Sequence, residues 1–192
     1  MRGKRLWQTL RLCSIRSPWK RAIYLKKVFA SVGDGCTIMS RKVPLYPELI
    51  SIGNNVHLAS SVYLTVHDIT HIMINRYLAG VGSKNRVKEK MGCIQIGDNV
   101  FIGSGSTVLG NVKIGSNVVI GAYSLVNRDI PDNSVAVGTP AKVIRTFDSF
   151  VDKRLKEGQY PEDISSHTEN INPEFAKYLW DQFKEQRKDL SE

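Results

Sequence analysis

The stretch from Ile96 to Ile130, IGDNVFIGSGSTVLGNVKIGSNVVIGAYSLVNRDI, sets an aliphatic side chain at every sixth position: Ile96, Ile102, Val108, Ile114, Ile120 and Val126. Glycine follows four of them, as Gly97, Gly103, Gly115 and Gly121. The fourth position after each aliphatic is small or β-branched throughout: Val100, Ser106, Val112, Val118, Ser124 and Ile130. A helix of period 3.6 cannot hold that register over six repeats. A period of six predicts short strands and tight turns, wound so that one aliphatic per hexad points inward and stacks on its equivalents in adjacent coils: a parallel β-helix. The glycines are then structural, placed where a turn needs positive φ or close backbone approach, and Gly53-Asn54-Asn55 and Gly97-Asp98-Asn99 mark such turns.

Upstream the same beat runs through Val32, Ile38, Ile52, Leu58 and Leu64 and then fails. The interval from Leu64 to Ile96 is not a whole number of hexads, so the register is lost across residues 67–93. This stretch, HDITHIMINRYLAGVGSKNRVKEKMGC, is too long for a tight turn and is expected to protrude from the coils. Long loops on rigid scaffolds usually carry function. His67 and Asp68 open it and His71 follows. Adjacent residues of an extended chain face opposite ways, so Asp68 suits substrate binding or anchoring of the loop rather than orienting His67. His71 reads as an acceptor contact or a solvated loop residue. His57, last in its hexad, is expected at a corner, and Lys84, Arg86, Lys88 and Lys90 as solvated loop charges.

The chain has 192 residues, 42% apolar and 23% charged, with a net charge of +9. Its excess is local. Residues 1–33 hold nine Lys or Arg and no acid, leaving 18 basic against 18 acidic residues elsewhere. A neutral body argues against nucleic-acid binding. With Leu6, Trp7, Leu10, Ile15, Trp19, Ile23 and Tyr24 interleaved among the cations, residues 1–31 predict a basic helical segment. Either it caps the main domain or it lies on an anionic membrane surface. Cys13, Cys36 and Cys93 form neither a disulfide framework nor a zinc knuckle. With no apolar run of spanning length and no signal-peptide pattern, the expected location is the cytoplasm, at the inner membrane face if the basic segment docks there.

The hexads, together with HD at 67–68, NVFIG at 99–103 and VAVGTPAKVI at 135–144, resemble the hexapeptide-repeat acyltransferases, in particular the branch that O-acetylates sugars of capsule, lipopolysaccharide and exopolysaccharide. The resemblance covers roughly residues 32–157. It implies an all-β main domain, a left-handed parallel β-helix over residues 32–147, and a homotrimer with active sites between neighbouring prisms. It implies acetyl-CoA as co-substrate, no metal, and a sugar or glycan hydroxyl as acceptor. His67 takes the position of the family's catalytic base, and an imidazole with a reference pKa near 6.5 suits removal of a hydroxyl proton at neutral pH. Asp68 and His71 fall on the acceptor side. Positions matching the family's donor groove are Phe101, Gly103, Ser104, Gly121 and Ala122, then Asn127 and Arg128 in place of a frequent Thr-Lys, with Lys142 and Arg145 at the nucleotide end. Three departures stand out: Phe101 where some branches carry tryptophan, Leu109-Gly110-Asn111 for a turn with Pro-Gly, and Tyr123 at a frequent glycine, where it narrows the donor channel.

Other readings are an amino-sugar N-acetyltransferase, a non-catalytic hexapeptide scaffold, and a γ-class carbonic anhydrase. The last shares the prism and uses three histidines, but His57, His67 and His71 do not match its spacing. Residues 148–192 predict a helical extension: a short helix capped by Asp148 and running to about Leu155, and a second begun by Asn172-Pro173-Glu174, with Phe175, Tyr178, Leu179 and Phe183 on one face, which either packs on the trimer or covers the acceptor groove.

Overall fold

The hexads fold as coils of very short strands. A computed structural model describes residues 2–157, Tyr160 and residues 171–187. The first coil holds β1 (Ser31–Val32) and β2 (Thr37–Ile38), and the second β3 (Ile50–Ile52), β4 (Val56–Leu58) and β5 (Tyr63–Thr65). The inserted segment contributes β6 (His67–Asp68) and β7 (Lys90–Met91). The third coil is β8 (Ile94–Ile96), β9 (Val100–Ile102) and β10 (Thr107–Leu109), and the fourth β11 (Val112–Ile114), β12 (Val118–Ile120) and β13 (Leu125–Val126). The series ends with β14 (Ser134–Val137) and β15 (Lys142–Thr146).

Equivalent strands of successive coils pair in parallel to make three faces: β1-β3-β8-β11, β2-β4-β9-β12-β14, and β5-β10-β13. At the end of the second face β15 folds back antiparallel on β14. Ile94 pairs with Val112 across an ordinary coil of three hexads, whereas Ile50 pairs with Ile94 across a coil that also contains the insertion. The inserted segment thus more than doubles the length of one coil without disturbing the stack.

The core corrects the expectation of one inward side chain per hexad. In a three-residue strand both ends share a face, so Val100 and Ile102 are buried while Phe101 between them is exposed, and β3, β4, β8, β11 and β12 also bury both ends. The small fourth-position residues are therefore core residues too. Where two of these are serines, each finds a partner: Ser106 Oγ donates to Gly121 O at 2.9 Å, and Ser124 Oγ donates to the same carbonyl at 2.8 Å.

The corners divide the work expected of glycine and asparagine together. Positive φ is taken by asparagine, at Asn55, Asn99, Asn117 and Asn133 (52°, 55°, 55° and 53°). These four stack as a ladder, each carboxamide donating to the next at 2.9 Å. Gly103 serves close approach: a Cβ there would lie 2.5 Å from the Ala122 nitrogen, so no side chain fits. His57 is not at a corner. It stands mid-strand in β4, with Nδ1 2.7 Å from Thr37 Oγ1 and Nε2 2.9 Å from Asn55 Oδ1.

Two helices precede the coils, α1 (Arg2–Ser14) and α2 (Pro18–Leu25). Ser17 caps α2 by accepting from Lys20 N–H, with Pro18 in the first turn where its missing N–H costs nothing. Leu12, Ala22 and Leu25 join the same buried cluster as Val32, Ile38 and Val43. Arg21, one of the cations of this segment, is not a surface charge. It is 1% exposed, and its guanidinium donates to the carbonyls of Ile38, Ile15 and Arg16 at 2.7, 2.9 and 2.9 Å.

The helix of the insertion is α3 (Thr70–Gly80); α4 (Phe147–Lys156) follows β15, and α5 (Pro173–Glu185) is the last. The chain divides into two compact units, Met1–Val151 and Asp152–Glu192. α4 starts before the expected cap: Thr146 Oγ1, not Asp148, accepts a first-turn N–H, that of Ser149 at 3.3 Å. α5 begins as expected, Asn172 Oδ1 accepting from Glu174 N–H at 2.9 Å. Phe175 is buried edge-on against Tyr160, with ring centroids 5.1 Å apart.

Candidate active site

The insertion is a small helical lobe on a two-stranded stem. β6 pairs antiparallel with β7, which sets His67 opposite Met91 and Asp68 opposite Lys90. Gly92 N–H donates to Val66 O at 2.8 Å and closes the stem where it leaves the coil. Asp68 Oδ1 accepts from Thr70 Oγ1 at 2.5 Å and from Thr70 N–H at 3.0 Å, satisfying a donor of the first turn of α3. These bonds, with the charges of Lys90 and His71, hold its carboxyl below the usual range. Farther out, Asn75 brackets the returning chain: its Nδ2 donates to Val87 O and its Oδ1 accepts from Val87 N–H, both at 2.9 Å.

His67 is half-buried at the foot of this stem. Its Nδ1 is shielded from solvent and makes no hydrogen bond to the described residues. The same holds for Nδ1 of His71 on α3. No described protein group on Nδ1 therefore dictates the tautomer of His67, in contrast to His57. The Tyr46 and His67 rings pack in a T shape, centroids 5.5 Å apart and planes at 86°. Tyr46 OH donates to Glu89 Oε2 at 3.1 Å, a bond that raises the phenol's pKa and ties the ring to the returning limb of the lobe.

His67 borders two cavities. One, of about 330 Å³, lies toward the first two coils and α1; the other, of about 230 Å³, is lined by Asp68, Lys90, Asn111 and Asn127 among others. Asp68 and Asn127 thus join His67, while His71 lines neither.

The remaining donor-side residues lie elsewhere on the chain. Gly103 and Ser104 follow β9, and Gly121 and Ala122 follow β12, one coil on. They stack directly: Gly103 N–H donates to Ile120 O and Tyr123 N–H to Ser104 O, each at 2.8 Å. Phe101 projects from the same face beside them, paired with Val119. Tyr123, at φ 55°, is exposed and lays its ring over Gly105. Asn127 and Arg128 follow β13, at the opposite edge of the third face. Arg128, Lys142 and Arg145 are all exposed, the last two on β15. Within one chain, then, the small-residue corner and the His67 corner are separated by the width of the β5-β10-β13 face.

Sequence reasoning passes over Tyr46 and Glu89, and names Asn111 only as part of a turn. Tyr46 had a signal: the interval from Ile38 to Ile52 exceeds a pair of hexads, and the irregular stretch within it contains Pro44, Tyr46 and Pro47. Asn111 supplies, at φ 64°, the turn residue of the Leu109-Gly110-Asn111 departure. Glu89 had none, since a lone acid among loop cations looks like any surface charge.

Comparison with known proteins adds a second line. The family model for bacterial transferase hexapeptide (six repeats) matches residues 93–128. The chain is 34% identical over 166 residues to Protein CapG of Staphylococcus aureus, covering 85% of this chain and 89% of that protein. It is 33% identical over 164 residues to the galactoside O-acetyltransferase of Lactococcus lactis subsp. lactis, covering 76% and 77%. Among solved structures, a galactoside acetyltransferase in complex with coenzyme A matches with a TM-score of 0.53 at 26% identity, over 84% of this chain and 87% of that one.

Proposed function

Because the chain belongs to the hexapeptide-repeat acetyltransferases, we propose that it moves an acetyl group from acetyl-CoA to a hydroxyl of a surface glycan or its precursor, with His67 as general base. The observation that carries this reading is the shielded, unpartnered imidazole nitrogen of His67 at the foot of the lobe, with two cavities bordering it. A hydroxyl is a poor nucleophile until its proton is removed, and an imidazole whose tautomer is not fixed can take that proton and later release it to the departing sulfur. T-shaped packing of Tyr46, latched by Glu89, limits the ring's rotation and so keeps its lone pair aimed.

Acetyl-CoA supplies an activated thioester. The residues present fit it: the corner at Gly103, Ser104, Gly121 and Ala122 offers backbone with small side chains, flanked by the exposed rings of Phe101 and Tyr123, which suits a pantetheine arm, and Arg128, Lys142 and Arg145 are exposed cations for the phosphates. The galactoside acetyltransferase held with coenzyme A supports this donor. Asn127, at the His67 cavity, lies where donor and acceptor meet.

We infer a left-handed winding and a homotrimer as well. In one chain the donor corner and His67 stand at opposite edges of a face, so a complete site needs a neighbouring copy to bring the two kinds of corner together. The glycan reading draws on the galactoside O-acetyltransferase and on CapG as relatives, and the reaction is placed at the cytoplasmic side, where acetyl-CoA is made.

The test incubates purified protein with acetyl-CoA and a panel of mono- and oligosaccharides, reading free thiol and the mass of the sugar. A gain of one acetyl, lost on treatment with mild base as an ester would be, is the expected result. A base-stable acetyl on an amino sugar would replace O- by N-transfer, and thiol release without acetylated product from any acceptor would overturn the acceptor class.

A further inference from the structure

The larger cavity beside His67 is walled mainly by hydrocarbon. Leu25 and Phe29 come from α2 and the chain leaving it, Ile38 and Val43 from the first coil, Leu58 and Val62 from the second. Its charged groups are Arg5, carried by α1, and Lys42, and among the described residues no carboxylate or carboxamide lines it. Besides these it offers the hydroxyls of Ser40, Tyr63 and Thr65 and the His67 imidazole, which can meet a sugar hydroxyl, but most of its wall is hydrocarbon. Hydrocarbon walls flanked by two cations suit an apolar chain that ends in phosphate. The smaller cavity that His67 also borders adds Asp68, Asn111 and Asn127, whose carboxylate and carboxamides can hydrogen-bond hydroxyls.

The same chemistry continues over the outer surface of α1 and α2. Leu6 and Leu10, one helical turn apart, are exposed with Trp7 beside them, while Leu12 on the other side of α1 is buried. Lys4 and Arg11 border this apolar strip and are exposed. α2 repeats the arrangement. Trp19 and Ile23, again one turn apart, are 60% and 62% exposed beside Lys20 and Lys27, while Arg21, Ala22 and Leu25 turn inward. Apolar strips edged by cations, in a stretch without one acid, match the interface of an anionic bilayer. Arg5 links the two features, since it sits on α1 next to Leu6 and also lines the cavity.

We propose that α1 and α2 dock the protein on an anionic membrane and that the cavity beside His67 takes the phosphate-bearing lipid end of a lipid-linked saccharide, whose sugar is then presented to His67. The identity of the reacting sugar rests on the acetyl-transfer reading above; the recognition of lipid does not.

Both halves are tested on the full-length protein without acetyl-CoA, so a failure here is separable from a failure of that reading. In the first arm the protein is floated with vesicles of phosphatidylcholine containing about one-third phosphatidylglycerol, or with phosphatidylcholine alone. Association at least about tenfold stronger with the anionic vesicles is expected, and the triple change Leu6→Ser, Trp7→Ser, Leu10→Ser abolishes it without altering the melting temperature, because those side chains are turned to solvent. Equal binding to neutral vesicles, or a triple variant that binds like the parent, overturns the docking face. So does a triple variant that changes only the oligomeric state, since the strips would then be a contact between copies. In the second arm geranyl phosphate is titrated calorimetrically, with geraniol and inorganic phosphate alongside. Geranyl phosphate is expected to bind about tenfold or more tighter than either fragment and to lose about tenfold in Lys42→Glu. Absence of binding, or binding indifferent to Lys42→Glu, overturns the lipid-phosphate site.

Discussion

Two corners of the same coil behave differently. At the first, Asn55, Asn99, Asn117 and Asn133 repeat coil after coil, each carboxamide bonded to the next, and His57 beside them has both ring nitrogens engaged. At the other, the chain leaves to build the lobe, the six-residue period is interrupted, and the imidazole that marks the exit has a shielded nitrogen with no partner among the described residues. A repeating fold saturates its polar groups by repetition, since each coil supplies the partner for the next. An interrupted corner loses that supply, and a polar group there is left without a partner from the repeat. Two histidines of one coil thus differ, one engaged by the repeat and the other left to the chemistry proposed for it.

The sharpest way to break the contrast is to delete each ring. His67→Ala is expected to lower acetyl transfer by about 10²- to 10⁴-fold, the usual cost of a lost general base, with the melting temperature held. His57→Ala is expected to do the reverse: turnover within a few-fold of the parent, and a loss of about 1 kcal/mol of stability as Thr37 and Asn55 each lose a partner. Near-normal turnover in His67→Ala removes the proposed base, and a collapse of activity in a well-folded His57→Ala removes the division between the corners.

The ladder comes next in size. Asn99 sits in its middle, bonded on both sides and held at φ 55°. Asn99→Ala breaks both bonds and forces an alanine into a left-handed conformation, for a loss of about 2 kcal/mol. Asn99→Gly keeps the conformation open and is expected to lose less, with kcat unchanged in both variants. Thermal melts of the pair check the order, and equal losses would show that the hydrogen bonds rather than the backbone carry the corner.

The third effect concerns affinity rather than folding or chemistry. Arg128→Ala and Lys142→Ala remove exposed cations proposed for the phosphates of acetyl-CoA, remote from the reacting carbonyl. Such contacts are alike in ground and transition states, so KM for acetyl-CoA is expected to rise several-fold to about tenfold with kcat nearly constant. Steady-state kinetics with the acceptor saturating reads this directly. A change confined to the acceptor's KM would move the donor groove to another part of the chain.

How much of this was legible before the fold was known follows from the same contrast. The repeat is written in sequence because each coil imposes the same burial, so Ile96 to Val126 announce themselves at every sixth position. The doubling of inward positions was half visible, in the small fourth-position residues, but their burial follows from the shortness of the strands, a length the spacing does not give. His67 stands out as a candidate because a broken period has a definite start. Its surroundings were not. Tyr46 and Glu89 meet it from far upstream and far downstream in the chain, and side-chain convergence over such separations leaves no periodic trace. Arg21 was misjudged for a related reason: composition reports a cation, and only packing shows that its donors are spent on three carbonyls. The capping of α4 was misplaced because Thr146 and Asp148 are both good caps, and the end of β15 decides between them.

The smallest expected effect lies at the root of the lobe. Asp68 carries a carboxylate that accepts two bonds from Thr70, and its pKa is lowered chiefly by the Thr70 hydroxyl and N–H. A group whose folded pKa is below its unfolded value contributes stability that is present above the unfolded pKa and is lost as pH falls through the folded one. For Asp68 that window opens below the ordinary carboxylate range, near about pH 4 and downward. Only the first turn of α3 depends on these bonds, so the expected change is local. The amide of Thr70 loses hydrogen-exchange protection as pH falls through the window, after correction for intrinsic exchange, while amides of β9 and β12 keep theirs until global unfolding. Asp68→Asn retains an acceptor oxygen but no charge, and is expected to show weakened Thr70 protection already at neutral pH with no further dependence on acid. If Thr70 and the β9 and β12 amides lose protection together, the lobe is not an independent appendage, and the difference between the interrupted corner and the repeating one does not extend to stability.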